Sequence, residues 1–233
     1  MTTIDLMNKK SKTSEKKHRV LILDDHPIIR QGLMQLINQQ EDLEVCGEAA
    51  NADQAFAALE TVKPDIVIVD ISLDGPNGIE FIKAAKEPYP EMLFLVHSMH
   101  DETLYAERAL RAGARGYIMK QEATEKVMVA IRRVLSGGIY VSEKMEAKML
   151  YRMIDSKTNK TISSIERLSD RELEVFQLIG QGNGTRQVAR ILHLSVKTIE
   201  AHRAHIKEKM DFRNATELVH HAIQWTHHES LRI

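Results

Sequence analysis

Five polar side chains stand at the ends of short apolar runs in this sequence. They are Asp24, Asp25, Asp70, Ser98 and Lys120. Three carboxylates in one place repel one another unless a cation is present, and a hard divalent ion such as magnesium accepts carboxylate, carbonyl and water ligands. A carboxylate nucleophile beside a metal, an ammonium and a hydroxyl suits phosphoryl transfer. Any one of these residues alone is better explained as an ordinary polar cap at the end of a strand, so the interpretation depends on the full set.

The elements that must position these side chains are predicted from the apolar pattern. Between residues 19 and 136, five short apolar runs alternate with five helix-length segments. The predicted strands are 20–23, 43–46, 65–69, 92–96 and 116–119, and the predicted helices are 27–38, 52–62, 78–87, 102–112 and 124–136. This alternation is typical of an α/β fold, in which helices cover both faces of a parallel sheet. Ligands bind at the carboxyl ends of such strands, so we expect the five polar side chains to converge.

The composition is that of an ordinary globular protein. The chain has 233 residues, of which 43% are hydrophobic and 28% charged, enough for one large domain or two ordinary ones. No run reaches the roughly 18 apolar residues of a membrane helix, and no secretory signal pattern is present. The single cysteine, Cys46, excludes an internal disulfide and a multi-cysteine zinc site. A cytoplasmic, reducing compartment fits these features.

Charge and pattern divide the chain into regions with different properties. Residues 1–18 are polar and rich in lysine and predict a disordered tail, and 19–139 form the α/β domain. Residues 140–166 predict a partly helical linker, and 167–229 a small all-helical domain. Residues 19–120 carry 17 acidic and 9 basic side chains, whereas residues 167–233 carry 8 acidic and 10 basic ones. This asymmetry suits a cation site in the first half and a polyanion partner in the second.

The C-terminal region predicts a helix, a short turn and a second helix over 196–210, with Ser195 as its N-cap. Helical winding places Val196, Ile199, Ile206 and Met210 on a core side. The opposite side carries Lys197, Glu200, Ala201, Ala204, His205 and Glu208, with Arg203, Lys207 and Lys209 at the flanks. Small alanines allow close approach to a DNA groove, and flanking cations can reach phosphates. Periodicity alone is explained equally well by a surface helix of mixed charge.

Four motifs in the first half resemble the receiver domain of bacterial two-component response regulators over about residues 19–139. They are Leu23-Asp24-Asp25-His26-Pro27, Val69-Asp70-Ile71-Ser72-Leu73, His97-Ser98-Met99-His100-Asp101 and Gly113-Ala114-Arg115-Gly116-Tyr117-Ile118-Met119-Lys120. The resemblance implies a flavodoxin-like fold with Asp70 as phosphoacceptor. It also implies that Asp25 binds Mg²⁺ directly, Asp24 through water, and Ser72 through its backbone carbonyl. Ser98 and Lys120 would contact the phosphoryl group, and Tyr117 resembles the switch aromatic of the family.

Two departures from the receiver pattern lie close to the expected pocket. Leu73 and Asp74 stand where family members often have methionine and proline, and Asp74 adds a negative charge. Gln121 follows Lys120 in place of the common proline, so a cis X-Pro bond is absent there.

Two motifs in the second half resemble the LuxR-type helix-turn-helix over about residues 167–229. They are Leu168-Ser169-Asp170-Arg171-Glu172-Leu173-Glu174-Val175 and Ser195-Val196-Lys197-Thr198-Ile199-Glu200-Ala201-His202-Arg203. The whole chain then resembles the NarL/FixJ class of response regulators. The resemblance implies that the helix over 196–210 enters the major groove, with Glu200, Ala201 and Ala204 nearest the base edges. The expected DNA-backbone contacts are Lys197, Thr198, Arg203, His205 and Lys207, although Thr198 is also explained as a capping residue.

The sequence therefore predicts a transcriptional regulator rather than an enzyme, with phosphorylation of Asp70 by a histidine kinase controlling dimerisation and DNA binding. An aspartate-based phosphohydrolase is disfavoured, because Ser72 stands where its second aspartate would be. A regulator that works without phosphorylation is a third alternative, and the intact pocket residues argue against it. The C-terminal histidines lack the cysteines or matched carboxylates of a metal site and are read as surface residues.

Overall fold

Five parallel strands form one sheet in the computed structural model, which describes residues 17–155 and 164–230. The strands are β1 (His18–Leu23), β2 (Leu43–Ala49), β3 (Ile66–Val69), β4 (Leu93–Ser98) and β5 (Gly116–Met119). They are hydrogen-bonded in the order β2-β1-β3-β4-β5, and every pairing is parallel. This is the strand order of a flavodoxin-like sheet, so the expected fold class is confirmed.

Helices cover both faces of this sheet. They are α1 (Pro27–Asn38), α2 (Ala52–Val62), α3 (Gly78–Lys86), α4 (Glu102–Ala112) and α5 (Thr124–Leu135). Along β1, Val20 and Ile22 belong to the core under α1 and α5, whereas Leu21 and Leu23 belong to the core on the opposite face. A strand that is buried on both faces needs apolar residues at every buried position, which explains the apolar run over residues 20–23 of β1.

The remaining elements of the described chain are all helical. They are α6 (Glu143–Asp155), a 3₁₀ turn (Ser164–Arg167), α7 (Asp170–Gly180), α8 (Thr185–Ile191), α9 (Val196–Met210) and α10 (Ala215–Ser230). Helix α7 begins with a capping box, in which Ser169 and Glu172 each bond the backbone N–H of the other. The box starts the helix at Asp170.

Some sequence-based expectations fall on parts of the chain that are not described. Residues 1–16 of the predicted tail and 156–163 of the predicted linker lie outside the described residues, and β1 begins at His18. No helix within the described ranges is both long and apolar enough to cross a membrane.

Candidate functional site

An acidic pocket lies at the carboxyl ends of β1 and β3, which are adjacent in the sheet. Asp24 and Asp70 are both 2% exposed, and the backbone N–H of Asp70 donates to the carbonyl of Leu23 at 2.8 Å. The Lys120 ammonium follows β5 and reaches across the edge of the sheet. Its Nζ lies 2.6 Å from Asp24 Oδ2 and 2.7 Å from Asp70 Oδ2. The structure therefore brings these sequence-predicted residues together around one cation.

Burial and charge set the protonation of this pocket. Burial raises the pKa of Asp70 to about 6, against the lowering effect of the Lys120 ammonium. Burial also raises the pKa of Asp25, and the nearby carboxylates of Asp24 and Asp74 add to that rise. Burial alone would lower the pKa of Lys120, but the carboxylates of Asp70 and Asp24 outweigh it and raise that pKa. At neutral pH the lysine is charged and most Asp70 is ionised, which is the form in which a carboxylate can act as a nucleophile.

The donor atoms of the pocket fit a divalent cation. Asp24, Asp25, His26 and Asp70 each place one ligand atom within 4.8 Å of the others. Asp70 Oδ1 is buried and has no hydrogen-bond partner, so one carboxylate oxygen remains available. Carboxylate oxygens are the ligands that Mg²⁺ prefers, and three residues of the cluster, Asp24, Asp25 and Asp70, belong to the set that the resemblance implies. His26 was not predicted as a site residue, although it directly follows Asp25 in the sequence; its Nδ1 lies 2.6 Å from Asp25 Oδ1.

Ser98 and Tyr117 both bond to the backbone of the same residue. Ser98 is fully buried, and its Oγ accepts from the N–H of His100 at 3.3 Å. Tyr117 is also fully buried, and its hydroxyl donates to the carbonyl of His100 at 2.8 Å. Any buried tyrosine hydroxyl needs a hydrogen-bond partner, so this contact is explained both by a plain strand aromatic and by a switch aromatic. The switch role of Tyr117 therefore stays a prediction.

Gly78, the first residue of α3, lies close to Asp70 and was not predicted as part of the site. The N–H of Gly78 donates to the carbonyl of Ile71 at 2.9 Å, and a Cβ at position 78 would lie 2.0 Å from the carbonyl oxygen of Asp70. Helix α3 thus begins in direct contact with the backbone of the expected phosphoacceptor. A Gly following an Asn cap is the signal for so close an approach.

Leu73 and Asp74, the two residues of the loop after Asp70 that depart from the receiver pattern, have different surroundings. Leu73 is 4% exposed and belongs to the core. The Asp74 side chain is 54% exposed, and its Oδ1 lies 3.2 Å from Nε2 of His193 in the turn between α8 and α9. Asp74 therefore faces the helical region, although its charge still contributes to the raised pKa of Asp25.

A network of polar contacts joins α7 to α3 and α4. Asp170 is 5% exposed, and its carboxylate accepts from Lys83 Nζ at 2.8 Å and from Arg108 Nη1 at 3.1 Å. Arg108 also donates to the backbone carbonyls of Leu168 and Ile165. A buried carboxylate with two cationic partners is compensated, so these contacts hold the helical region against the sheet domain.

A second part of the interface reaches the loops around the acidic pocket. Arg171 Nη1 donates to Glu174 Oε2 at 2.7 Å, while its Nη2 donates to the carbonyl of Gly75 at 3.1 Å. Burial raises the pKa of Glu174 to about 7, even though the Arg171 guanidinium lowers it. Glu174 Oε1 has no hydrogen-bond partner and lies 4.0 Å from Nε2 of His100. The loops after β3 and β4 therefore both touch α7.

Helix α9 presents the outer face expected from the sequence. Ser195 caps it through the backbone N–H of Thr198 at 3.0 Å. Most of the candidate DNA-contacting side chains are exposed, namely Lys197, Glu200, Ala201, Ala204 and His205, whereas Thr198, Arg203 and Lys207 are half-buried. The Thr198 hydroxyl lies 2.7 Å from Ser195 Oγ, which supports its alternative role at the cap.

The expected core side of α9 is only partly correct. Ile199 and Ile206 are fully buried, and Met210 is half-buried. The placement of Val196 in the core was wrong, because its side chain is 40% exposed. Val196 is the first residue of the helix, where the helix extends past its packing partners. Among the flanking cations, Lys209 Nζ lies 2.6 Å from Glu172 Oε2 and is held by α7.

The C-terminal histidines make contacts of surface type. The Phe212 ring stacks on His221 with centroids 4.8 Å apart, and His220 lies 3.3 Å from the Gln224 amide. In the described ranges, a group of three or more metal-ligating side chains occurs only at the acidic pocket.

Two family models match this chain. Residues 20–132 match the response regulator receiver domain, and residues 166–222 match the bacterial regulatory proteins of the luxR family. The first match ends in α5 and the second begins in the 3₁₀ turn that precedes α7.

Individual proteins are similar along nearly the whole chain. The oxygen regulatory protein NreC of Staphylococcus haemolyticus is 36% identical over 210 residues, covering 88% of this chain and 97% of that protein. A LuxR-family two-component response regulator from Aurantimonas sp. SI85-9A1 is 31% identical with a TM-score of 0.56, covering 60% of this chain and 99% of its own. A solved RcsB–DNA complex is 25% identical with a TM-score of 0.55, covering 88% and 97%.

Proposed function

Because this chain belongs to the response regulators that join a receiver domain to a LuxR-type DNA-binding domain, we propose that phosphorylation of Asp70 controls its binding to DNA. The phosphodonor is a sensor histidine kinase or a small acyl phosphate, and the output is transcription in the cytoplasm. The observation that carries the proposal is the Lys120 ammonium held between two buried carboxylates, Asp24 and Asp70, at the carboxyl ends of β1 and β3.

The chemical step is nucleophilic substitution at phosphorus. The carboxylate of Asp70 attacks, a bond forms between its oxygen and phosphorus, and the bond from phosphorus to the donor nitrogen or oxygen breaks with its electron pair. Asp70 Oδ1 suits the nucleophile because it is buried and makes no hydrogen bond. The ammonium of Lys120 and the hydroxyl of Ser98 stabilise the new phosphoryl oxygens.

A magnesium ion, when bound, supplies positive charge that offsets the phosphoryl oxygens. Asp25 and Asp70 would hold it directly, Asp24 through water, and Ser72 through its backbone carbonyl. The convergence of the three carboxylates supports this ligand set. Without such a cation, Lys120 alone balances the buried acids, and that charge is too small for a dianionic phosphoryl group.

The new charge changes the surface of the receiver domain. Ser98 turns toward the phosphoryl group and Tyr117 follows it, so the loop between β4 and α4 shifts. This shift frees the C-terminal domain or forms a dimer. Two-fold dimers would bind paired half-sites about one helical turn apart.

Helix α9 is the DNA-reading element in this proposal. Glu200, Ala201 and Ala204 lie on its exposed face and would approach base edges in the major groove. Around them, the backbone contacts would come from Lys197, Thr198, Arg203, His205 and Lys207. Linking two such modules in a dimer raises the affinity for paired sites beyond that of either module.

The test is labelling by acetyl phosphate in the presence of Mg²⁺, followed by intact-protein mass spectrometry. The wild-type chain should gain one phosphoryl group, and Asp70→Asn should gain none. Asp65→Asn is the matched control, because it removes a carboxylate that bonds the Arg19 N–H at the opposite end of the same strand. Labelling of Asp70→Asn at the wild-type level would refute the assignment.

A further inference from the structure

We propose that His100 is the positioning residue through which the phosphoacceptor pocket controls docking of the C-terminal domain. The proposal rests on the phosphorylation of Asp70 set out above. His100 is in the loop between β4 and α4, where one residue contacts both the pocket residues and α7.

The backbone of His100 is held by the two residues that are expected to move. Its N–H donates to Ser98 Oγ at 3.3 Å, and its carbonyl accepts from the Tyr117 hydroxyl at 2.8 Å. When Ser98 turns toward a phosphoryl group, the first bond loses its acceptor. When Tyr117 follows, the second bond loses its donor. Both constraints on the position of His100 are therefore removed by the same event.

The side chain of His100 lies at the domain interface. Its Nε2 is 3.0 Å from Ser72 Oγ, within hydrogen-bond distance, and 4.0 Å from Glu174 Oε1 on α7. The ring also packs on Tyr105 with centroids 4.5 Å apart. The ring therefore acts on the interface through its shape and its hydrogen bond to Ser72.

The buried carboxylate of Glu174, which faces His100, has only part of its hydrogen-bonding capacity satisfied. Glu174 is 3% exposed, and its Oε1 has no hydrogen-bond partner in the docked arrangement. An unsatisfied buried polar atom disfavours the state that contains it. Arg171, one helical turn earlier, reaches the carbonyl of Gly75 in the loop after β3. Small displacements of the loops after β3 and β4 consequently act on the part of the interface that contains this unsatisfied oxygen.

The stronger contacts lie elsewhere and do not involve these loops. Asp170 accepts from Lys83 in the last turn of α3 and from Arg108 within α4, so both partners lie in helices rather than in these loops. These pairs contribute to docking in either state of the pocket. His100 thus differs from them: removing it should abolish the response of docking to phosphorylation, whereas removing Lys83 should only weaken docking.

The single tryptophan of the chain can report on docking of the C-terminal domain. Trp225 is the single tryptophan, and it lines an interdomain cavity of about 340 Å³ together with His100 and Glu174. Biosynthetic 5-fluorotryptophan gives one ¹⁹F signal for each state in slow exchange. The ratio of the two areas measures the docking equilibrium in the full chain, with and without beryllofluoride and Mg²⁺.

In the wild-type chain, beryllofluoride should shift the docked-to-undocked ratio by about tenfold, within the range usual for allosteric coupling. In Lys83→Ala the starting ratio falls, but beryllofluoride still changes it by the same factor. In His100→Ala the factor falls below about twofold, while the ¹⁹F signal of bound beryllofluoride shows that the pocket still fills. A wild-type factor in His100→Ala would overturn the proposal, as would a filled wild-type pocket that leaves docking unchanged.

Because the coupling between docking and beryllofluoride binding is reciprocal, beryllofluoride affinity is a second measurement. It would not change if His100 had a purely structural role. If phosphorylation weakens docking, then docking weakens beryllofluoride binding by the same factor. Lys83→Ala should therefore raise beryllofluoride affinity, and the same change in a His100→Ala background should not. Equal gains in both backgrounds would contradict the assignment.

Two controls separate the possible failures. If His100→Ala does not fold, one signal at the chemical shift of the urea-unfolded chain replaces the two fluorotryptophan signals, and Ser72→Ala then applies the same test by removing the other partner of the ring. If beryllofluoride does not bind the wild-type chain and Asp70 takes no label, the proposed function fails, and the present proposal fails with it for that separate reason.

Discussion

The buried carboxyl of Glu174 should make the C-terminal domain less stable as the pH rises from 6.5 to 8. Its pKa is raised from 4.5 to about 7 by burial, with Glu80 and Asp170 adding to the effect against Arg171. A carboxyl with a raised pKa keeps its proton in the folded chain at a pH where the unfolded chain has released it. Its contribution to the free energy of unfolding is complete below pH 4.5 and disappears as the pH rises through 7.

The magnitude follows from proton linkage. Between pH 6.5 and 8, a carboxyl with a pKa of about 7 loses on the order of 1 kcal/mol of stabilisation. Other shifted groups also contribute in this window, so the prediction concerns the difference between the wild-type chain and a variant that lacks the carboxyl. Burial lowers the pKa values of His97 and His100 to about 4, and because these residues take up protons in the unfolded chain near their ordinary pKa of 6.5, they stabilise the fold as the pH rises. Asp70, with a pKa of about 6, loses a little stabilisation at the lower end of the window.

The assay is urea unfolding followed by Trp225 fluorescence at the two pH values. Between pH 6.5 and 8 the wild-type chain should lose about 1 kcal/mol more than Glu174→Gln, because the contributions of His97, His100 and Asp70 are the same in both proteins. Glu172→Gln is the matched control on the same helix. Burial acts to raise the pKa of Glu172, but bonds from Lys209 and Ser169 lower it overall, so this residue stays ionised throughout the window. If the free energy of unfolding changes with pH in Glu174→Gln as it does in the wild-type chain, the reasoning is refuted.

Two further substitutions test the other elements of the site. Gly78→Ala places a Cβ 2.0 Å from the carbonyl oxygen of Asp70, so it should lower the free energy of unfolding by about 1–3 kcal/mol; a urea midpoint equal to that of the wild type would show that the close approach is not enforced. Arg203→Ala should weaken binding to DNA of any sequence and reduce the slope of log affinity against log salt by about 1; an unchanged salt titration would place Arg203 away from the phosphates.

Much of the fold was predictable because its signals are local. The bounds of α1, α4, β5 and α9 agree with the sequence pattern to the residue, since each begins or ends at a proline, glycine, cap or clear apolar period. Strand β2 continues to Ala49, three residues past the predicted end. Backbone pairing with β1 extends it although the apolar pattern stops at Cys46.

The acidic pocket was predictable for a topological reason, whereas the domain interface was not. Strand ends meet at one edge of a parallel sheet, so the positions of Asp24 and Asp70 follow from the strand order. The bond between Tyr105 and Gln177 joins residues 72 apart, and that between Lys83 and Asp170 joins residues 87 apart. Pairs so far apart produce no periodic pattern in the sequence. The charged side chains of α7 that are buried in the structure have the sequence pattern of a solvent-exposed helix face.

The carboxylate of Asp170 stabilises both the start of α7 and the contact between the two domains, so a neutral replacement affects both. As the first residue of α7, its negative charge favours the start of the helix by complementing the backbone dipole. The same carboxylate accepts from Lys83 and Arg108 of the other domain. Replacing it with a neutral residue would loosen the helix start and leave two cations without their anion. Variation at this position is thus constrained jointly by local folding and by the attachment of one domain to the other.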